Sequence, residues 1–326
     1  MKRRAWLCKL VGIALACRAA QAWGQTRPPT VGYLGPPVPD GPGHDLFDGL
    51  RAEMLRLGWV EGKNLRYEAR LPGPVDSRGT AAQRVATLAR ELAAANVDVI
   101  VAMSNGGAQA AKQASSIIPI VFLAQKPVEN GLVSSLAHPG GNLTGMTYHI
   151  DSLMIKRMQL LTQAAPGLAR VAYLSRNDAE SDASARTAAK TLNLELQLVP
   201  VQAAEDLERA IGAAPPPGAW VVDDYSLFIS HMQRIVELIA RTRKPAIYSS
   251  NDWVQRGGLM SYSDDRKDVM RYVARYVDRI LRGARPAEMP VEQPTQFVLA
   301  LNAKTARALS LAIPASLMLR VDELIE

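Results

Sequence analysis

The chain has little cysteine and few aromatic residues, and both shortages narrow its possible functions. Of its 326 residues only two are cysteines, Cys8 and Cys17, and both lie near the N-terminus. The rest of the chain therefore has no structural disulfide and no thiol nucleophile, and a chain of this length can build its own core without them. Aromatic residues make up only 6% of the sequence, so a binding site lined by aromatic rings is not assured.

Catalytic and metal-binding motifs are also missing. The four histidines have no close metal-ligand spacing with one another or with a carboxylate. There is no G-x-S-x-G elbow, no Walker loop and no G-x-G-x-x-G after the first predicted strand. Two pairs of adjacent aspartates exist, at 223–224 and 264–265, but neighbours on an extended strand point to opposite faces. The sequence thus predicts no enzyme, no metal site and no cofactor.

The N-terminus has the three parts of an export signal. Lys2-Arg3-Arg4 is followed by an apolar stretch over 10–17 and then by Ala20-Gln21-Ala22. The apolar stretch is shorter than the about 20 residues that span a bilayer. This order predicts a signal peptide over residues 1–22, cleaved after Ala22, and a periplasmic protein. Lipid attachment at Cys17, after Leu15-Ala16, is the alternative.

The positive charge is concentrated in this leader. The whole chain has a net charge of +7 and a pI near 9.5, which by itself would favour a nucleic-acid or membrane partner. Residues 1–22 contain five basic and no acidic residues, so the remainder carries +2. Arginines elsewhere alternate with acids, as over 271–282, which is typical of a solvated helix face. We therefore expect no nucleic-acid partner.

Strand-like and helix-like segments alternate along the rest of the chain. The run Val97–Met103, apolar except at Asp98, is typical of a strand buried on both faces. The segment 139–151 interrupts the alternation, which then restarts and includes a predicted helix over 229–241. This pattern predicts an α/β protein with two doubly wound, Rossmann-like lobes of parallel sheet around a ligand cleft. Ligands of such sheets bind at the carboxyl ends of the strands.

Seven short segments, in order along the chain, are similar to those of a known family. They are LGWVEGKNL (57–65), VDVIVA (97–102), IPIVF (118–122), PGGNLTG (139–145), GGLMSY (257–262), LRGARP (281–286) and MPVEQPTQF (289–297). Together they resemble the exported ABC-transporter substrate-binding proteins that are often described as tryptophan/tyrosine-type receptors. The set runs through most of the chain after residue 30.

The resemblance implies a type I periplasmic-binding-protein fold in which the chain crosses between the lobes three times. The first lobe would comprise 27–147 plus 265–292, and the second 148–264 plus 293–326. The implied function is a periplasmic solute receptor, expected to be a monomer, that delivers an amino acid or other small carboxylate to an ABC permease in the inner membrane. The alternatives are a ligand-sensing receptor for a sensor kinase and an exported α/β enzyme acting in the same cleft.

In the first lobe, the candidate binding residues follow two neighbouring strands. Ser104, Asn105 and Gly106 precede a helix predicted over 107–114, and free N–H groups at a helix start can hold a carboxylate. The alternative is an ordinary helix cap. Lys126 stands where the family commonly has an aspartate. An acid would suit an ammonium group, whereas Lys126 suits a carboxylate or another anion, or points to solvent.

In the second lobe, the candidate residues also follow predicted strands. Asn177, Asp223, Tyr225 and Ser249 are expected to face the cleft, if the fold is as predicted. Tyr225 and, from the first lobe, Tyr33 are candidates for stacking on a planar ligand. The alternative is that most of these residues are loop caps without ligand contact.

Overall fold

Two β-sheets organise the part of the chain that the computed structural model describes, namely residues 27–35, 42–72, 81–148, 150–214 and 218–326. The predicted signal peptide and the alternative lipid site at Cys17 lie outside these residues. Within them, no helix is both long and apolar enough to cross a membrane.

The first sheet has five parallel strands in the order 2-1-3-4-5. They are β1 (Thr30–Leu34), β2 (Arg66–Arg70), β3 (Val99–Ala102), β4 (Ile120–Ala124) and β5 (Leu143–Thr147). Its helices are α1 (Pro42–Arg56), α2 (Ala81–Ala94), α3 (Asn105–Ala114) and α10 (Arg266–Leu281).

Helices cover both faces of this sheet, as the central strand β3 shows. Val99 and Val101 belong to a core cluster with α1 and α10. Ile100 and Ala102 belong to a cluster with α2 and α3 on the opposite face. Because successive strand residues point to opposite faces, the continuous apolar run supplies both cores at once.

The second sheet has seven strands in the order 12-11-10-9-8-6-7. All neighbouring pairs are parallel except β10 and β11, which are antiparallel. The strands are β6 (Arg170–Ser175), β7 (Glu195–Pro200), β8 (Ala219–Val222), β9 (Ala246–Tyr248), β10 (Met260–Asp264), β11 (Phe297–Asn302) and β12 (Glu323–Ile325).

This sheet is also covered on both faces. One core cluster contains residues of α4 (Ile150–Ala164), α5 (Ala179–Thr191), α11 (Ala303–Ala308) and α12 (Ala315–Met318). The other contains residues of α6 (Asp206–Ala213), α7 (Ser226–Ser230), α8 (Met232–Arg241) and α9 (Asn251–Gln255). The predicted two-lobed, doubly wound α/β fold is therefore confirmed.

Several local predictions were wrong. The helix predicted over 229–241 is two helices, α7 and α8, because His231 between them leaves the helical conformation. Helix α3 begins at Asn105 and not at Gly107, because Ser104 caps it. Helices α9 and α12 and strand β12, of five, four and three residues, were not predicted. Elements this short contain too few residues to show a hydrophobic period.

The chain passes between the two sheets at three places that lie side by side. It leaves the first sheet after β5, returns through α10 after β10, and leaves again before β11. The Thr147 N–H donates to the Glu292 carbonyl at 2.8 Å, and the Asp265 N–H donates to the Gln296 carbonyl at 3.0 Å. Such grouped crossings are what a hinge requires. The residue boundaries given above for the lobes stay a prediction.

Gly145 in β5 provides a test of the packing of the first sheet. A Cβ at this position would lie 2.0 Å from the Phe122 carbonyl oxygen of β4, so neighbouring backbone would have to move. We expect Gly145→Ala to lower the free energy of unfolding by about 1–3 kcal/mol or more, measured by urea denaturation. Gly141→Ala is the control, since nothing lies within 4 Å of its Cβ position. Equal urea midpoints for the two variants would contradict this packing.

Candidate ligand-binding cleft

The carboxyl ends of the two sheets face each other, and contacts of Lys126 and Tyr148 lie between them. The Lys126 ammonium, after β4, lies 2.8 Å from a Glu180 carboxylate oxygen in the first turn of α5. Tyr148, at the first crossing, hydrogen-bonds the Gln125 side chain and lies close to carboxylates of the second lobe. Burial raises the pKa of Tyr148 to about 12, so its hydroxyl stays protonated at neutral pH. The space between these contacts is the candidate cleft.

The first-lobe side of the cleft uses its side chains to build the start of helix α3. The Ser104 hydroxyl accepts a hydrogen bond from the Gly107 N–H at 3.0 Å, and the Asn105 Oδ1 accepts from the Gln125 N–H at 2.6 Å. Gly106 is exposed, and apart from its chain neighbours and the backbone of its own helix no atom of the described residues lies within 4 Å of its Cβ position. The N–H groups of Asn105 and Gly106 occupy the first turn, where such groups have no intrahelical acceptor.

Lys126 makes a contact that neither of the two predicted alternatives included. Its ammonium pairs with a carboxylate of the protein, Glu180, rather than being directed only to solvent. Its backbone has a φ of +45°, in the left-handed region, so the chain turns sharply as it leaves β4. The lysine therefore contacts the opposite lobe in this structure.

A buried arginine that the sequence analysis missed organises the second-lobe side. Arg157 of α4 is only 5% exposed. It donates to the Tyr262 carbonyl at 2.9 Å, to Asp223 Oδ1 at 3.2 Å and to the Ser249 carbonyl at 3.3 Å. These acceptors belong to β10 and to the ends of β8 and β9, so one guanidinium holds three neighbouring strands together.

The sequence did contain a signal for this residue. Met154, Arg157, Met158 and Leu161 recur at positions i, i+3, i+4 and i+7, which places the arginine on the apolar stripe of α4. All four are buried. A charge on an apolar stripe predicts a buried ion with a compensating partner, because an isolated buried charge is very costly.

Asp223 and Asp224 have different partners, and Asp224 is the more exposed of the two. Asp223 Oδ1 accepts from Arg157 and from the Asp224 N–H at 2.9 Å, so this oxygen is engaged within the lobe. A direct ligand contact of Asp223 stays a prediction. Asp224 is exposed, and its Oδ1 accepts from the Trp253 indole N–H at 2.9 Å. Neighbours along an extended segment point to opposite sides.

The Asp224 carboxylate is held against a rigid wall. Trp253 is fully buried and stacks on Tyr248, with ring centroids 5.2 Å apart. Desolvation between the lobes raises the pKa of Asp224, while hydrogen bonds with Trp253 and Ser249 act in the opposite direction. Ser249 is buried, and its carbonyl accepts a hydrogen bond from Arg157.

The two tyrosines proposed to stack on a ligand differ. Tyr33 is fully buried, and its ring packs on Phe47 at a centroid distance of 4.7 Å, so it is part of the first-lobe core and does not face the cleft. Tyr225 is half-buried, with the Arg176 guanidinium 5.5 Å from its ring centroid. Asn177, which follows Arg176 in the chain, is exposed and adopts a φ of +58°.

The second-lobe side of the cleft is rich in carboxylates. Asp178, Glu180 and Asp182 occupy the cap and first turn of α5, where the helix dipole favours negative charge. Asp224 and Asp264 lie at the ends of strands further along the same edge, and burial raises the pKa of Asp264. Within the described residues, no group of three or more His, Cys, Asp or Glu side chains could hold a metal ion.

Arg157 provides a test of this architecture. We expect Arg157→Met to lower the free energy of unfolding by about 3–5 kcal/mol, because Asp223 then lies in the interior without its cation. Arg157→Met combined with Asp223→Asn should recover part of the loss. Arg186→Met, on the exposed side of α5, is the control and should change the free energy of unfolding by less than about 0.5 kcal/mol. Equal losses of unfolding free energy in Arg157→Met and Arg186→Met would contradict a buried ion pair.

Comparison with known proteins agrees with this architecture. The model of the family described as "ABC transporter substrate binding protein" matches residues 43–325. A tyrosine-binding protein of Clostridioides difficile is 26% identical over 221 residues, 66% of this chain and 63% of the relative. The chain thus spans slightly less than two thirds of the length of this curated relative.

Two solved structures are similar to the whole described fold. A conserved domain protein from Vibrio cholerae has a TM-score of 0.80 at 22% identity, covering 91% of this chain and 100% of its own. An ABC domain from Streptococcus pneumonia, in complex with L-Trp, has a TM-score of 0.79 at 22% identity, covering 91% and 99%. At this identity the likeness shows the shared fold. The match of the family model over most of the chain shows that it belongs to the ABC transporter substrate-binding protein family.

Proposed function

We propose that this protein is a receptor for an amino acid, which it binds between its two lobes and delivers to an ABC importer. The observation that carries the proposal is the Asp224 carboxylate, exposed in the cleft and held by the Trp253 indole N–H. A fixed carboxylate within an acidic rim is suited to an ammonium group. The similarity to a tyrosine-binding protein and to a structure holding L-Trp supports the same ligand class.

The opposite side of the cleft offers a complementary group. The first-turn N–H groups of α3, at Asn105 and Gly106, provide partial positive charge and free donors for a ligand carboxylate. Gly106 has no side chain, so a ligand can approach its backbone closely. An α-amino acid placed between the lobes would thus present its ammonium to the second lobe and its carboxylate to the first. This assignment replaces the expectation that Lys126 receives the carboxylate.

Transport requires that the ligand be bound without being changed. We expect binding without turnover, closure of the lobes about the three crossings, and release to a permease in the inner membrane. The predicted leader would place the receptor, as a monomer, in the periplasm, where it meets that partner. Neighbouring genes would distinguish an importer from a sensor kinase as the partner.

The ligand class is tested with analogues that lack one charged group. Isothermal titration calorimetry would compare L-tyrosine and L-tryptophan with the amines tyramine and tryptamine and with the acids 3-(4-hydroxyphenyl)propionate and 3-indolepropionate. We expect removal of the ammonium group, or Asp224→Asn, to weaken binding by about 10- to 100-fold, as loss of a charged hydrogen bond does. Glu237→Gln, an exposed change on α8, is the matched control. Equal affinities for an acid and its parent amino acid would refute the proposal.

The pH dependence gives an independent test. The Asp224 carboxylate must be ionised to hold an ammonium group, and its pKa is raised above the usual aspartate value. We therefore expect affinity to fall as the pH is lowered through this pKa, at a higher pH than an ordinary aspartate would produce. Titrations from about pH 7 to about pH 4 would measure the fall. The same decrease in Asp224→Asn would assign it to another group.

A further inference from the structure

We propose that Lys126 and Glu180 form an electrostatic latch across the cleft, which stabilises the closed arrangement of the lobes without contacting the ligand. Their charged atoms lie 2.8 Å apart. Lys126 follows β4 of the first sheet, and Glu180 lies in α5 of the second. With side chains 42% and 53% exposed, the pair lies at the mouth of the cleft rather than in its interior.

The neighbours of Glu180 explain why this carboxylate reaches across. Asp178 pairs with Arg176 and caps α5 by accepting from the Glu180 N–H. Asp182 accepts from the Ser175 hydroxyl at 2.6 Å. These two carboxylates have partners within their own lobe, whereas the ion pair of Glu180 is with Lys126 of the other lobe. Separation of the lobes would break this pair and keep the other two.

The loop that carries Lys126 is held in place. The Asn130 N–H donates to the Lys126 carbonyl at 2.9 Å, and its side-chain amide donates to the Gln125 carbonyl at 3.0 Å. On the other side, Asn105 accepts from the Gln125 N–H. The left-handed backbone of Lys126 is therefore maintained by its surroundings. Because the backbone of Lys126 is already ordered, less conformational entropy is lost when its side chain pairs with Glu180.

The latch lies away from the hinge, so lobe rotation would break it. Strand β6, which leads to Glu180, is three positions from the crossing strand β10 in the order 10-9-8-6. At about 4.8 Å per strand, the lever arm is roughly 14 Å, and a rotation of about 20° moves its end by roughly 5 Å. In contrast, the pair between Arg266 and Asp252, 2.6 Å apart, involves the first residue of α10, directly after a crossing.

Loss of the Lys126–Glu180 pair should have a small effect on lobe closure, and the resulting loss of affinity should be the same for every ligand. Exposed ion pairs change an equilibrium by about two- to fivefold, and salt screens them. Because ligand affinity scales with the fraction of closed protein, loss of the latch should weaken every ligand by the same factor. A lysine that contacted the ligand would instead discriminate between anionic ligands and others. Only this dependence on ligand affinity rests on the proposed function.

The test is a charge-reversal cycle with Lys126→Glu, Glu180→Lys and the double variant. The full chain, with Cys8 and Cys17 replaced by serine, would carry fluorescent labels at Arg90→Cys and Lys190→Cys, both exposed and in different lobes. Single-molecule energy transfer without ligand would then report the closed fraction. We expect the closed fraction to fall about two- to fivefold in each single variant and to recover in the double variant. At high salt the closed fractions of all forms should become equal, because salt screens the charges.

Matched variants separate the latch from a general charge effect. The Arg51–Glu61 pair lies within the first lobe at similar exposure, so reversal of its charges should leave the closed fraction unchanged. The neutral changes Lys126→Met and Glu180→Gln should also lower the closed fraction, but by less than the charge reversals, because they add no repulsion. A fold-loss in the double variant equal to the product of the two single-variant fold-losses would overturn the latch.

Calorimetry with the same amino acids and analogues separates the two proposals. A uniform two- to fivefold loss of affinity in Lys126→Glu supports the latch, whereas a loss confined to carboxylate-bearing ligands, with an unchanged closed fraction, overturns it. If no amino acid binds but the charge-reversal cycle still shows coupling, the latch stands and the proposed ligand class fails. The two inferences therefore fail on different measurements.

Discussion

The second-lobe side of the cleft depends on one buried ion pair. Arg157 brings a charge into the core, and that charge is tolerable because Asp223 and two carbonyl groups receive its donors. In doing so it joins β10 to the ends of β8 and β9. Asp224 and Ser249 follow these ends directly, so their positions depend on the same interaction. A residue on the apolar stripe of a helix thus shapes a polar surface elsewhere.

The cleft separates charges that are adjacent in sequence. Asp223 neutralises an internal cation, while Asp224 presents its carboxylate to solvent between the lobes. Lys126 of the first lobe is paired with Glu180. The other carboxylates of the second-lobe side keep the charge of that side negative. This distribution agrees with a ligand that carries an ammonium group, and it makes formal net charge a poor guide to the ligand.

Local patterns with a single structural solution predicted the structure best. The apolar run at 97–103 predicted a strand buried on both faces, and β3 has cores on both sides. Local patterns said less about side chains whose direction depends on a neighbour. Tyr33 was expected to contact a ligand and is in the core, whereas Arg157 was not considered and organises the site. Single residues do not show which distant strand they will meet.

The sequence by itself determined the alternation of strands and helices, the doubly wound fold class and which loops follow the strand ends. These follow from hydrophobic periodicity and from the rule that parallel strands end at one edge. Only the tertiary structure decided which carboxylate of the 223–224 pair is the more exposed and that Lys126 reaches Glu180 across the cleft. The physical reason is that burial and ion pairing depend on three-dimensional neighbours from distant parts of the chain, and those neighbours exist only after folding.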